Sequence, residues 1–152
     1  MKKTTYAENL NYWKTSNASA DAWMEKTRTL LKRHKGELKS EAYGRDSNGN
    51  AAFLVEFEID GDAFKVVWPV LPSLTRNVLA AKIQAATMIH HDIKSRLIAA
   101  AVLGARSAFF AYLQLPSGQT IYEASLTTPL SGVPKLLLPP TTPVGVVEGE
   151  WE

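Results

Sequence analysis

The chain contains no cysteine, which excludes disulfides, thiolate metal sites and a cysteine nucleophile together. Histidine is scarce as well: His34, His90 and His91 are all there are. Two ligands on one helix face require i,i+4 spacing, whereas His90 and His91 point about 100° apart on a helix and cannot chelate together. Both His34 and His90 fall on apolar helical stripes and read as buried, hydrogen-bonded histidines. No spacing supports a coupled His34–His90 site across two helices, so neither metal nor cofactor is expected. There is no phosphate-cradling glycine loop, because the nine glycines are scattered over turns. Without a Ser-His-acid arrangement either, the chain reads as non-enzymatic, with no catalytic residue. Its start, MKKTTYAENLNYW, has lysines but no apolar stretch behind them, which is not the pattern of a signal peptide. The longest apolar run, LIAAAVLGA (97–105), is too short to span a bilayer. An intracellular protein away from membranes is expected.

What is present is a chain of 152 residues with charge sorted along it. At this length about 68–70% of the unfolded surface can be buried, so a single domain needs no covalent staple. Net charge is only +2, too mild to imply nucleic acid alone. Its distribution is more informative. Residues 1–18 carry +2 and residues 19–36 carry +3, while residues 37–74 carry −4. Residues 75–138 return to +4, and residues 139–152 end at −3.

The elements can be read from period and punctuation. SADAWMEKTRTLLKRHKG predicts a helix with Ser19 as N-cap and Gly36 as stop. Trp23, Thr27, Leu30, Leu31 and His34 share its inner face. Arg28, Lys32 and Lys35 lie opposite. The period then falls to two, with Phe53, Val55, Phe57 and Ile59 alternating, and Phe64, Val66 and Trp68 alternating again beyond Asp60-Gly61. Asp-Gly accepts the positive φ values of a tight hairpin. A weaker strand over Leu38–Arg45 joins through the turn DSNGN (46–50), and Pro69 and Pro72 end the sheet. From Arg76 a long helix follows, with a stripe of Leu79, Ile83, Ala86, His90, Ile93, Leu97 and Ala101. Gly104 breaks it, and ARSAFFAYLQL continues as a second helix. TIYE (120–123) predicts a capping box opening a short helix. Residues 127–147 hold five prolines and read as an extended wrap and flexible tail.

The expected fold is α+β: an N-terminal helix, a three-stranded antiparallel meander, a long helix, then shorter helices packed on one face of the sheet. Its parts are an N-terminal arm (1–18), one domain (19–138) and a flexible acidic tail (139–152).

FKVVWPVLP closing the sheet, the long helix, FFAYLQLPSGQTIYEASL and GVPKLLLPP together resemble a group of small uncharacterised proteins. These are encoded in phages and integrative elements of bacteria, actinobacteria especially. The likeness spans about residues 20–140, and LQLPSGQTIYEA is its most specific piece. Relatives tend to carry an acidic residue at the position of Ser117 and a basic-aromatic patch where this chain has TMIHHDIK. The resemblance implies a setting, a mobile element in the cytoplasm of a bacterial host cell, and assigns no catalytic or binding residue.

Single-stranded nucleic acid is the expected partner, which calls for basic side chains on one surface, with aromatic platforms. The candidates are Arg28, Lys32 and Lys35 on the first helix and Lys82, Lys94 and Arg96 on the long one; each taken singly also reads as part of a solvated face. Glu56 and Glu58 should lie on the open side of the sheet and repel phosphate there, which sends any contact to the helices or the arm. The arm mixes Lys2, Lys3 and Lys14 with Tyr6, Tyr12 and Trp13. The ending EGEWE supplies a candidate partner-binding tail of Glu148, Glu150, Trp151 and Glu152, able to compete with phosphate or to offer a peptide to another protein; a plain solubilising tail is the alternative. The chain is thus expected to be a non-enzymatic single-stranded nucleic-acid-binding or replication/recombination accessory protein. The competing expectation is an interaction module that binds no nucleic acid and forms a homo-oligomer through opposite charges or through Ala99, Ala100, Ala101 and Gly104.

Overall fold

The computed structural model describes residues 3–127. The proline-rich stretch and the acidic tail with Glu148, Glu150, Trp151 and Glu152 lie outside the described residues. The fold is α+β: α1 (Ala20–Arg33), the strands β1 (Glu37–Arg45), β2 (Ala51–Ile59) and β3 (Asp62–Pro69), the long α2 (Val78–Leu103), and the short α3 (Ala105–Ala108) and α4 (Ile121–Ser125). Single 3-10 turns occupy Ala7–Asn9 and Phe110–Tyr112.

The sheet is an antiparallel meander in the order β1-β2-β3. Asp60 (φ 53°) and Gly61 (φ 83°) both take the left-handed backbone, as a two-residue turn between twisted strands requires. Alternation along β2 buries Phe53, Val55, Phe57 and Ile59, which pair with Trp68, Val66, Phe64 and Asp62 of β3. Phe57, Phe64 and Phe109 meet at centroid separations of 5.3–5.5 Å in the centre of the core. Each such ring pair adds about 0.5–1.5 kcal/mol beyond area burial.

α1 starts where Ser19 Oγ accepts the Ala22 N–H. Its inner line is Ala20, Met24, Thr27 and Leu31, with Trp23 and Leu30 half-buried. His34, expected on that line, is exposed instead. The helix has ended at Arg33, Lys35 turns left-handed (φ 62°), and the Gly36 N–H closes back on the Leu31 carbonyl at 2.8 Å. A Cβ at Gly36 would stand 3.0 Å from that carbonyl oxygen, so the stop depends on glycine for close approach.

α2 is apolar around much of its circumference, so its sequence does not select a face. Its neighbours do. The buried line runs through Ala81, Ala85, Ala86, Ile89, Ile93 and Leu97, and the expected ends of the stripe, Leu79 and Ala101, are exposed. Gly104 (φ 89°) ends α2 as expected, but the helix expected over ARSAFFAYLQL stops after one turn, at Ala108. After one turn of α3 and a 3-10 turn, Leu113 bridges to Phe64 and the Gln114 N–H donates to the Ala63 carbonyl at 2.8 Å. Satisfying the open edge of β3 outweighs continuing a helix. The capping box then forms: Thr120 Oγ1 accepts the Glu123 N–H, and the Glu123 carboxylate accepts the Thr120 N–H. α1 and α2 cover the Phe57 face, while Glu123 reaches Lys65 at 2.9 Å on the other side of β3.

The segment before α1, set apart in the sequence as an arm, is packed against α2. Gln84, 1% exposed, donates from Nε2 to the Ala7 carbonyl (2.8 Å) and the Asn11 carbonyl (3.0 Å). The Glu8 carboxylate accepts from the Ser73 hydroxyl and from the Leu74 and Thr75 N–H groups. Desolvation pushes the Glu8 carboxyl up, but hydrogen bonding from its own backbone N–H, together with these hydrogen bonds, outweighs it and holds the group below its ordinary value.

Candidate functional site

α1 and α2 pack side by side and leave an open groove of about 520 Å³ on their outer side. Positions 22, 26, 29 and 33 of α1 fall along one flank at helical spacing, and His90 and Lys94 supply the other. Lys26, Arg33 and Lys94 bring three cations to the groove, against the single carboxylate of Glu25.

Beside it lies a cluster of rings. Trp23 stands 5.3 Å from His90 and 5.8 Å from His91, and Tyr12 of the arm stacks on His91 at 5.0 Å with planes only 14° apart. Lys26 Nζ sits 4.3 Å above the Trp23 ring, and Lys14 Nζ lies 5.8 Å from that of Trp13. Ser16 ties the arm to α1 by accepting the Trp23 Nε1–H at 3.0 Å. The Thr27 hydroxyl donates to the Trp23 carbonyl at 3.1 Å and lies 3.3 Å from His90 Nδ1. Burial, then the charges of His91, Lys94 and Lys26, push the His90 pKa below its ordinary value.

Of the residues singled out in the sequence, Lys94 lines this groove. Arg28 is held by Glu41 of β1 through contacts of 2.8 and 2.7 Å. Lys82 caps the Tyr43 ring at 4.2 Å. Arg96 donates to Asp92 (3.0 Å) and to the Ala108 carbonyl (3.1 Å), and packs 4.6 Å from the Tyr112 ring. Tyr112 in turn donates to Asp92, and burial, with the Asp92 charge, pushes its pKa up to about 12. Lys32 and Lys35 are exposed and do not line the groove. Lys26 and Arg33 escaped notice in the sequence, although their seven-residue spacing along the edge of the α1 inner face was a usable signal. His34 lines a separate pocket of about 130 Å³ with Ile59 and Asp60, so it is not coupled to His90.

Among the described residues, no group of three or more His, Asp or Glu side chains is placed to hold a metal ion. No helix there is long and apolar enough to cross a membrane. Glu56 and Glu58 project from the sheet face opposite Phe57, away from α1 and α2, with Glu56 accepting from Ser40 and Gln114. Comparisons with family models, curated proteins and solved structures find no match to this chain.

Proposed function

We propose that this protein is a non-enzymatic binder of single-stranded nucleic acid, an accessory to replication or recombination in a phage or other mobile element. The observation that carries the reading is the open α1–α2 groove, where Lys26, Arg33 and Lys94 converge with rings beside them. Three cations in an open groove favour a polyanion that runs past them, because each phosphate neutralised releases condensed counterions. The mobile-element setting comes from the sequence resemblance alone.

Fluorescence anisotropy with a labelled single-stranded oligonucleotide tests the proposal. Three neutralised phosphates predict a slope of log affinity on log salt of about −2, or roughly a 20-fold loss between 50 and 200 mM salt. Changing Lys26, Arg33 and Lys94 together to Gln should flatten that slope, whereas Lys32→Gln with Lys35→Gln should leave most of it. A folded protein that shows no binding at low salt would end the proposal.

A second reading has its own observation. The far end of α2 exposes Ile98 (60%), Val102 (81%) and Leu103 (64%), with no charged residue between Leu97 and Ala105. Such a surface fits self-association of the interaction-module kind. Sedimentation equilibrium of the wild type against Val102→Asp decides it, and a wild type that stays monomeric at high concentration dismisses it.

A further inference from the structure

We propose that Tyr12 and His91 form a clamp that takes one unpaired base between their rings, making base stacking a determinant of what the groove accepts. The inference rests on the nucleic-acid reading of the groove and adds to it a preference for strands that carry exposed bases.

The geometry begins with the arm. Upstream of Tyr12 the chain is fixed by Gln84 Nε2 on the Ala7 and Asn11 carbonyls. Downstream it is fixed by the Ser16–Trp23 hydrogen bond. Between these anchors, Tyr12 (φ 69°) and Lys14 (φ 53°) both hold the left-handed backbone, which bulky side chains rarely adopt. That conformation aims the Tyr12 ring at His91 in a nearly parallel pair at 5.0 Å. A local change over Tyr12–Thr15 can therefore part the rings without undocking the arm. Residues held in sparsely populated backbone conformations cluster where a chain clamps a ligand.

The surroundings suit a nucleotide better than a lone aromatic ligand. His91 is exposed and Tyr12 half-buried, so the pair is open to solvent at one side. Lys94 is one helical turn from His91, and Lys26 lies over the neighbouring Trp23 ring. Cations beside a ring cluster offer a single strand contacts for both its phosphates and its bases. A base-paired duplex hides the faces that the clamp would grip.

The test compares a labelled 12-nucleotide oligothymidylate with an abasic phosphodiester strand of equal length and charge, at low salt and by anisotropy. The wild type should prefer the base-bearing strand by roughly fivefold or more. Tyr12→Leu and His91→Ala should each erase that preference by lowering oligothymidylate affinity toward that of the abasic strand, and Tyr12→Phe should retain it. Circular dichroism of each variant confirms that the fold is intact. Equal affinity of the wild type for both strands overturns the clamp. So does tighter oligothymidylate binding by Tyr12→Leu, which would make Tyr12 a plug. In either case, loss of binding to both strands on neutralising Lys26, Arg33 and Lys94 still supports the groove. Absence of binding to either strand overturns groove and clamp alike.

Discussion

Replacing Gln84 with Met keeps an unbranched side chain of similar length in the helix and removes both donors that hold the arm. The Ala7 carbonyl retains the Leu10 N–H at 3.2 Å, so the loss falls mainly on the Asn11 carbonyl. One buried and one part-buried hydrogen bond at about 1 kcal/mol each place the destabilisation near 2 kcal/mol. At this chain length that lowers the melting midpoint by about 4–8 °C. The arm has an escape, because it can undock and let water satisfy its carbonyls. The cost is then limited to the free energy of docking, including the burial of Ala7 and half-burial of Trp13. Thermal and urea unfolding of Gln84→Met, alongside a variant lacking residues 1–16, measure both quantities. Gln84→Met should also weaken any preference for base-bearing strands, since Tyr12 is placed by the same contacts. A Gln84→Met protein within about 0.5 kcal/mol of wild type would refute the view that this amide anchors the arm.

Three further outcomes are expected. A double-mutant cycle on Arg28 and Glu41 should give a coupling of at most about 1 kcal/mol, because both side chains are partly solvated, and Arg28→Gln should leave strand affinity nearly unchanged. The lowered His90 pKa means that the unfolded chain binds more protons below its ordinary value near 6.5. This group's contribution to stability is therefore full above that pH and lost as pH falls through the folded-state value; His90→Gln should flatten that decline in urea titrations from pH 7.5 to 5. Glu56→Gln with Glu58→Gln should not reduce strand affinity in the anisotropy assay, since both side chains lie on the face opposite α1 and α2.

Legibility from sequence follows the range of the interaction. The Ser19 cap, the Asp60-Gly61 turn, the Gly104 break and the Thr120–Glu123 capping box each involve residues within a few positions, and each appears in the structure. Helix faces were harder. α2 offers apolar residues on every side, so only its contacts with α1, the sheet and the arm decide that Ala85 is buried and Leu79 exposed. The fate of cations was not legible at all. Arg28, Lys82 and Arg96 are absorbed by Glu41, Tyr43 and Asp92 with Tyr112, and the first two partners lie in another element. The exposed cations were divided between groove and open surface by how α1 lies along α2. The ring cluster likewise depends on an arm folding back over a helix some seventy positions later, which no local pattern records.

That separation also sets a timetable for synthesis. Ser73 follows Glu8 by 65 residues, and Gln84 follows Ala7 by 77. At about 5–20 residues per second, the arm waits roughly 3–15 s after emerging before its anchors exist. In that interval β1, β2 and β3 can pair through short turns, while Tyr12 and Trp13 remain without the helix they will pack against. A segment made well before its anchors is thus among the last of the described elements to be placed. Changes to Glu8 or Gln84 should chiefly hasten departure from the native state and leave the early meander untouched.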